Sequence, residues 1–129
     1  PPHAVDLKSH PDATRYRTVL REGATQPADF AGKYKVVTWG CGSPCHTIAL
    51  VDLESGRVYF GPEATLTHES HPSSSLLVLN PPAFLESKFG QPLPPVETRP
   101  WYAYTKCYAW SEADKKFRLV YSENARDTK

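Results

Sequence analysis

Four residues in this sequence have types and spacing that suit a metal ion. Cys41 and Cys45 form a Cys-x3-Cys pair, and His68 and His71 form a His-x2-His pair. Together they make a two-Cys, two-His set of the kind that holds zinc. Both pairs fall in segments that read as loops. Oxidation is the competing chemistry. Gly42, Ser43 and Pro44 are turn formers that can bring the Cys41 and Cys45 sulfurs together, and a bonded pair offers no thiolate to a metal. Three cysteines are present, so one bridge leaves one thiol over. A Cys41–Cys45 bridge is the favoured pairing, and closing so short a loop contributes roughly 2 kcal/mol in the chain-entropy model. Cys45–Cys107 competes with it. Reduced cysteines packed as small apolar residues are the third reading.

Nucleophilic chemistry needs a nucleophile, a base and a group that orients the base. Ser43, Ser70 beside His71, and Cys107 supply candidates, but none stands in a recognisable nucleophile signature. A redox role for Cys41 and Cys45 is disfavoured, because such motifs have two intervening residues and a following helix. His46, next to Cys45, reads as a half-exposed strand residue rather than a third ligand. Asp52, Glu54 and Glu63 are scattered near turns and read as solvated. Gly40 and Gly42 precede a strand, which does not make a phosphate cradle. No catalytic set is therefore assigned, and no cofactor.

The elements that must position these residues follow from periodicity. Residues 1–11 have no periodicity and read as a flexible lead-in. Asp12 can cap a helix with Ala13, Tyr16, Val19 and Leu20 on one face, stopped by Gly23. Tyr34–Trp39 alternates as a strand, Gly40–Pro44 turns, and His46–Leu53 is apolar enough to be buried on both faces. Glu54–Gly56 is a tight turn into a third strand, Arg57–Phe60. Gly61–Ser75 is a polar loop with room for one short strand, and Leu76–Leu79 is a central strand. Asn80 caps a short helix across Pro81–Phe89. Trp101–Trp110 reads as one long strand, with 102, 104, 108 and 110 on its core face and Trp101 on the other. Glu112–Lys115 turns into Lys116–Tyr121. The expected fold is α+β: an antiparallel sheet of five to six strands packed on an N-terminal helix, with one more short helix. One domain over residues 12–122 is followed by a polar tail, 123–129.

Composition narrows the class. The 129 residues carry 15 basic and 14 acidic side chains, which gives no basic excess for nucleic acid. No apolar run approaches the ~20 residues of a membrane-spanning helix. The chain lacks Met and begins at Pro1, which leads us to expect that a signal peptide was removed or the chain was trimmed. A disulfide persists in oxidising compartments, so the expected location is periplasmic or secreted.

The residues Phe30-Ala31-Gly32-Lys33-Tyr34, then Trp39-Gly40-Cys41-Gly42 and Cys45, resemble a group of small exported bacterial proteins. Those proteins share a Phe-Ala-Gly-x-Tyr start and a Trp-Gly-Cys-Gly-x-x-Cys turn. The likeness extends through Asp52–Tyr59, Ser75–Leu77 and the strand before Phe117. It implies export and a single small domain, and no established activity, so no catalytic residue is carried over.

The function expected from these readings is a non-enzymatic protein-binding module of the bacterial cell envelope, of inhibitor or immunity type. Its partner would be a protein, met by the Gly40–His46 turn or the Glu63–Ser74 loop. The side chains expected at that contact are Trp39, Ser43, His46, His68, His71 and Trp101, since large aromatic residues anchor interfaces. The alternative is a small zinc protein or hydrolase using Cys41, Cys45, His68 and His71.

Overall fold

A computed structural model of the chain describes residues 3–128. A short 3-10 turn leads into helix α1, Arg17–Gly23. Strands β1 (Tyr34–Gly40), β2 (His46–Asp52) and β3 (Val58–Phe60) follow, then β4 (His68–Glu69) and β5 (Leu76–Leu79). Helix α2 covers Pro82–Phe89, and β6 (Lys106–Ser111) and β7 (Lys116–Ser122) complete the strands.

The strands form two antiparallel sheets, β1-β2-β3 and β4-β5-β6-β7, not the one sheet expected. Periodicity reports which residues share a face, not which strands share an edge. Beyond β3 the chain stays on the edge of the first sheet, where Gly61 N–H donates to Ile48 O. A single bridge from Ala64 to His46 then carries it across to β4.

The sheets pack face to face. Tyr34, Val36, Ile48 and Leu50 of the first meet Leu77, Leu79 and Trp110 of the second, with Phe30 between them. Val37, Ala49 and Val51 point the other way, onto Ala13, Leu20 and Ala24 around α1. The first sheet is thus the middle of three layers, and β2 is buried on both faces as its composition predicts. Each fully buried Leu or Ile contributes roughly 1.5–3 kcal/mol.

Tyr34 ties the layers together. Its ring sits edge-on to Trp110 at 5.3 Å, and its hydroxyl donates to Glu112 Oε1 at 2.7 Å. Glu112 also accepts from Trp110 Nε1 at 3.0 Å and pairs with Lys33 and Lys115. Lys115 foremost, with Tyr34, Trp110 and Lys33, holds the Glu112 carboxyl down at about 2 against its partial burial. Burial, aided by Glu112, pushes the Tyr34 phenol up.

The lead-in expected to be flexible is docked over residues 3–11. Asp6 N–H donates to Gly56 O at 2.8 Å, Ser9 Oγ accepts from Val58 N–H at 2.8 Å, and Val5 and Leu7 pack on the α1 layer. Val5 and Leu7 are too few to make a periodic signal, and the backbone bonds of the segment leave none in the sequence. Gly56, at φ +82°, permits it, because a Cβ there would overlap Ala4 O. The tail is tied down as well. Glu123 accepts from Arg99 Nη1 at 2.6 Å and Thr105 N–H at 2.8 Å, and Asp127 pairs with Lys106. Residues 1, 2 and 129 lie outside the described residues.

Candidate functional site

Cys41 and Cys45 are disulfide-bonded, with Cα atoms 5.1 Å apart. Cys107 is the free cysteine, its thiol pushed up by burial. The bridge closes the β1–β2 corner, and Cys41 N–H donates to Cys45 O at 3.1 Å across the same loop. A strand enters the corner and a strand leaves it, so the disulfide fixes the shape of an exposed hairpin end.

This corner forms one wall of a cleft of about 290 Å³. Pro44 and Cys45 come from the corner, Glu63 and Thr65 from the β3–β4 connection, and Leu79 and Asn80 from the end of β5. Trp101, Tyr102 and Tyr104 form the facing wall, with Lys106 and Tyr108 of β6 beneath. Trp101 stands at the rim, 69% exposed.

The two walls are held together by Asn80, which is 3% exposed and has φ +52°. Its Oδ1 accepts from Leu66 N–H at 3.2 Å and Thr67 N–H at 3.1 Å. Its Nδ2 donates to Thr65 Oγ1 at 2.9 Å, Tyr102 O at 3.1 Å and Tyr104 O at 3.0 Å. Thr65 Oγ1 in turn donates to Tyr102 O at 2.6 Å, and Thr105 Oγ1 to Asn80 O at 2.6 Å. The sequence suggested that Asn80 caps α2. That N-cap is Pro81, with no side-chain cap bond. Asn is instead the non-glycine residue best suited to a left-handed position, and its amide cross-links two loops.

The strand expected over Trp101–Trp110 begins only at Lys106. Ala103 N–H turns back to Pro100 O, so Tyr102 and Tyr104 leave the sheet and line the cleft. Of the aromatic residues assigned to one core face, Trp110 is buried and Tyr108 packs at the edge of the core. Asn80, Tyr102 and Tyr104 were not among the expected contact residues, and Glu63 was included only as the start of the Glu63–Ser74 loop. The clustering of Trp and Tyr at 101–108 was the available signal.

The six expected contact residues separate into groups. Trp101 lines the cleft. Ser43 lies on the outer side of the corner, in a shallow depression with Gly40, Gly42 and Leu66. His46 and His68 meet across the two sheets, Nε2 to Nδ1 at 3.3 Å. Burial, then the neighbouring His46, pushes the His68 imidazole below its usual value. His71 is exposed and pairs with Glu69. Trp39 belongs elsewhere, for it stacks on Tyr16 at 4.5 Å in the α1 layer. Its parity places it opposite the interlayer face.

The zinc set of the alternative reading does not assemble around the cysteines. Among the described residues, the ligand atoms that come within 4.8 Å of one another are those of Cys41, Cys45 and Glu63, without His68 or His71. With the sulfurs bonded to each other, that group offers one carboxylate. Among the described residues no helix is long and apolar enough to cross a membrane. Comparison with protein-family models, curated proteins and solved structures finds no match.

Proposed function

We propose that this chain is a non-enzymatic protein-binding module of the bacterial cell envelope, of inhibitor or immunity type, and that it grips its partner at the aromatic cleft. One observation carries the reading. Three separate segments of chain, the disulfide corner, the β3–β4 connection and the Trp101–Tyr104 loop, converge on one cleft that is cross-linked from beneath by a buried amide. Cross-linked walls lose little freedom on binding, which is the condition under which a small contact gives useful affinity. Trp, Tyr and Arg are enriched among the residues that carry binding energy at interfaces. The disulfide agrees with an oxidising compartment, and the resemblance to small exported proteins points the same way.

The test is capture from envelope extracts with the wild-type chain and with Trp101→Ala in parallel. The expected result is one protein retained in stoichiometric amount by wild type and released by the variant. Absence of any specific retained protein overturns the proposal, and so does retention that Trp101→Ala leaves unchanged.

A further inference from the structure

The chemistry of the cleft selects what would enter it. Its two charged side chains are not equivalent. Lys106 Nζ lies 2.8 Å from Asp127 Oδ2, so its charge is met within the protein. Glu63 makes no ion pair and no side-chain hydrogen bond among the described residues, and its carboxylate lies within 4.8 Å of both disulfide sulfurs at the corner end of the cleft. The phenol oxygens of Tyr102, Tyr104 and Tyr108 likewise have no hydrogen-bond partner among the described residues. No buried side-chain polar atom of the described residues lacks a partner, so these groups are open to solvent or to a ligand. The cleft therefore presents one uncompensated negative charge, aromatic walls and free acceptor oxygens.

An anion would meet Glu63 as a like charge. An apolar group would gain nothing from the carboxylate, which is exposed and stays hydrated. A cation gains from both features, because aromatic faces attract it and the carboxylate neutralises it. Guanidinium fits better than ammonium, since it is planar, stacks on aromatic rings and carries five donors for several acceptors at once. The volume of about 290 Å³ lies just below the ~300–1,000 Å³ range of ligand pockets, which suits one inserted side chain.

We infer that the cleft is an arginine-side-chain pocket: it takes a guanidinium from the protein partner, held against Glu63 and between Trp101 and the tyrosines. This deepens the binding reading and rests on it for the source of the arginine. The placement is specific. Glu63 meets the guanidinium at the corner end, Tyr102, Tyr104 and Tyr108 supply walls and acceptors, and Asn80 fixes the spacing between the two sides.

The experiment needs no partner. N-acetyl-arginine amide is titrated into ¹⁵N-labelled full-length chain and amide shifts are followed, with N-acetyl-norleucine amide as the uncharged probe of similar length. The expected result is a saturable shift of the amides at 63–66 and 101–106 with the arginine probe and none with norleucine. Glu63→Gln is expected to weaken that binding roughly threefold to fivefold, the scale of an exposed charge contact, and Tyr104→Leu by a similar factor. Equal binding of the norleucine probe, an unchanged titration in Glu63→Gln, or shifts centred elsewhere overturns the inference. The two proposals fail separately. Trp101-dependent capture of a partner without any arginine response keeps the binding reading and removes the arginine pocket. An arginine response without a captured partner keeps the pocket and removes the protein partner.

Discussion

Replacing Asn80 with alanine tests the construction of the cleft. The substitution deletes an acceptor for Leu66 and Thr67 N–H and a donor to the carbonyls of Tyr102 and Tyr104. Tyr102 O keeps its bond from Thr65 Oγ1, so neither of those two groups is counted. Leu66 N–H, Thr67 N–H and Tyr104 O, three backbone groups, are left without a partner, each at roughly 1 kcal/mol when taken at the lower end for groups that solvent can reach after relaxation. Alanine at φ +52° adds about 1 kcal/mol of left-handed backbone cost. The sum is about 4 kcal/mol, a large part of the ~5–15 kcal/mol that holds an ordinary domain. Asn80→Gly loses the same hydrogen bonds without the backbone cost, so it should be less destabilised by about 1 kcal/mol. Urea unfolding followed by tryptophan fluorescence measures both, with the slope of stability against urea compared to confirm two-state behaviour. A loss below about 1.5 kcal/mol for Asn80→Ala, the scale of one ordinary hydrogen bond, would refute the cross-link.

Three further outcomes are expected. Gly56→Ala should destabilise the chain by roughly 1–3 kcal/mol, because its Cβ meets the Ala4 carbonyl, and should free residues 3–9 to limited proteolysis; an unchanged cleavage pattern counts against the docked segment. Glu112 has a folded-state pKa of about 2, below its ordinary 4.5, so its contribution is complete above pH 4.5 and disappears as pH falls through about 2. Glu112→Gln should flatten that part of the acid-unfolding curve, as read by circular dichroism. His68 is held below its ordinary 6.5, first by burial and then by His46, with Asp29 opposing and Lys35 reinforcing. The unfolded chain therefore takes up this proton first, and stability falls as pH drops below about 6.5. His68→Gln should remove this slope between pH 7 and 5, and an unchanged slope would assign it to other groups.

The strands of the first sheet were legible because alternation and turn residues agree there. Tyr34–Trp39, His46–Leu53 and Arg57–Phe60 lie within a residue of the observed β1, β2 and β3, and the turn formers between Cys41 and Cys45 foretold the bridge. The division into two sheets was not legible. It depends on which edge β4 pairs with, and β4 is only two residues long. The Trp101–Tyr104 segment alternates like a strand, yet Asn80 captures the carbonyls of Tyr102 and Tyr104 and turns the segment into a cleft wall. Asn80 lies more than twenty residues away, beyond the reach of local periodicity. The same holds for Tyr34, whose hydroxyl finds Glu112 across 78 positions. An aromatic residue at the end of a strand, such as Trp39, reads equally as anchor or as core, and its packing on Tyr16 and Phe60 comes only from the three-dimensional arrangement.

The proposed partner site is the cleft between the disulfide corner and the Trp101–Tyr104 loop. Hydrogen–deuterium exchange on the complex with the captured partner tests it directly. Slowed exchange at 43–46, 63–67 and 101–106, with no change in α1 or β3, is the predicted result. Protection confined to β7, where Leu119, Val120 and Tyr121 are exposed, or to α1, would contradict it.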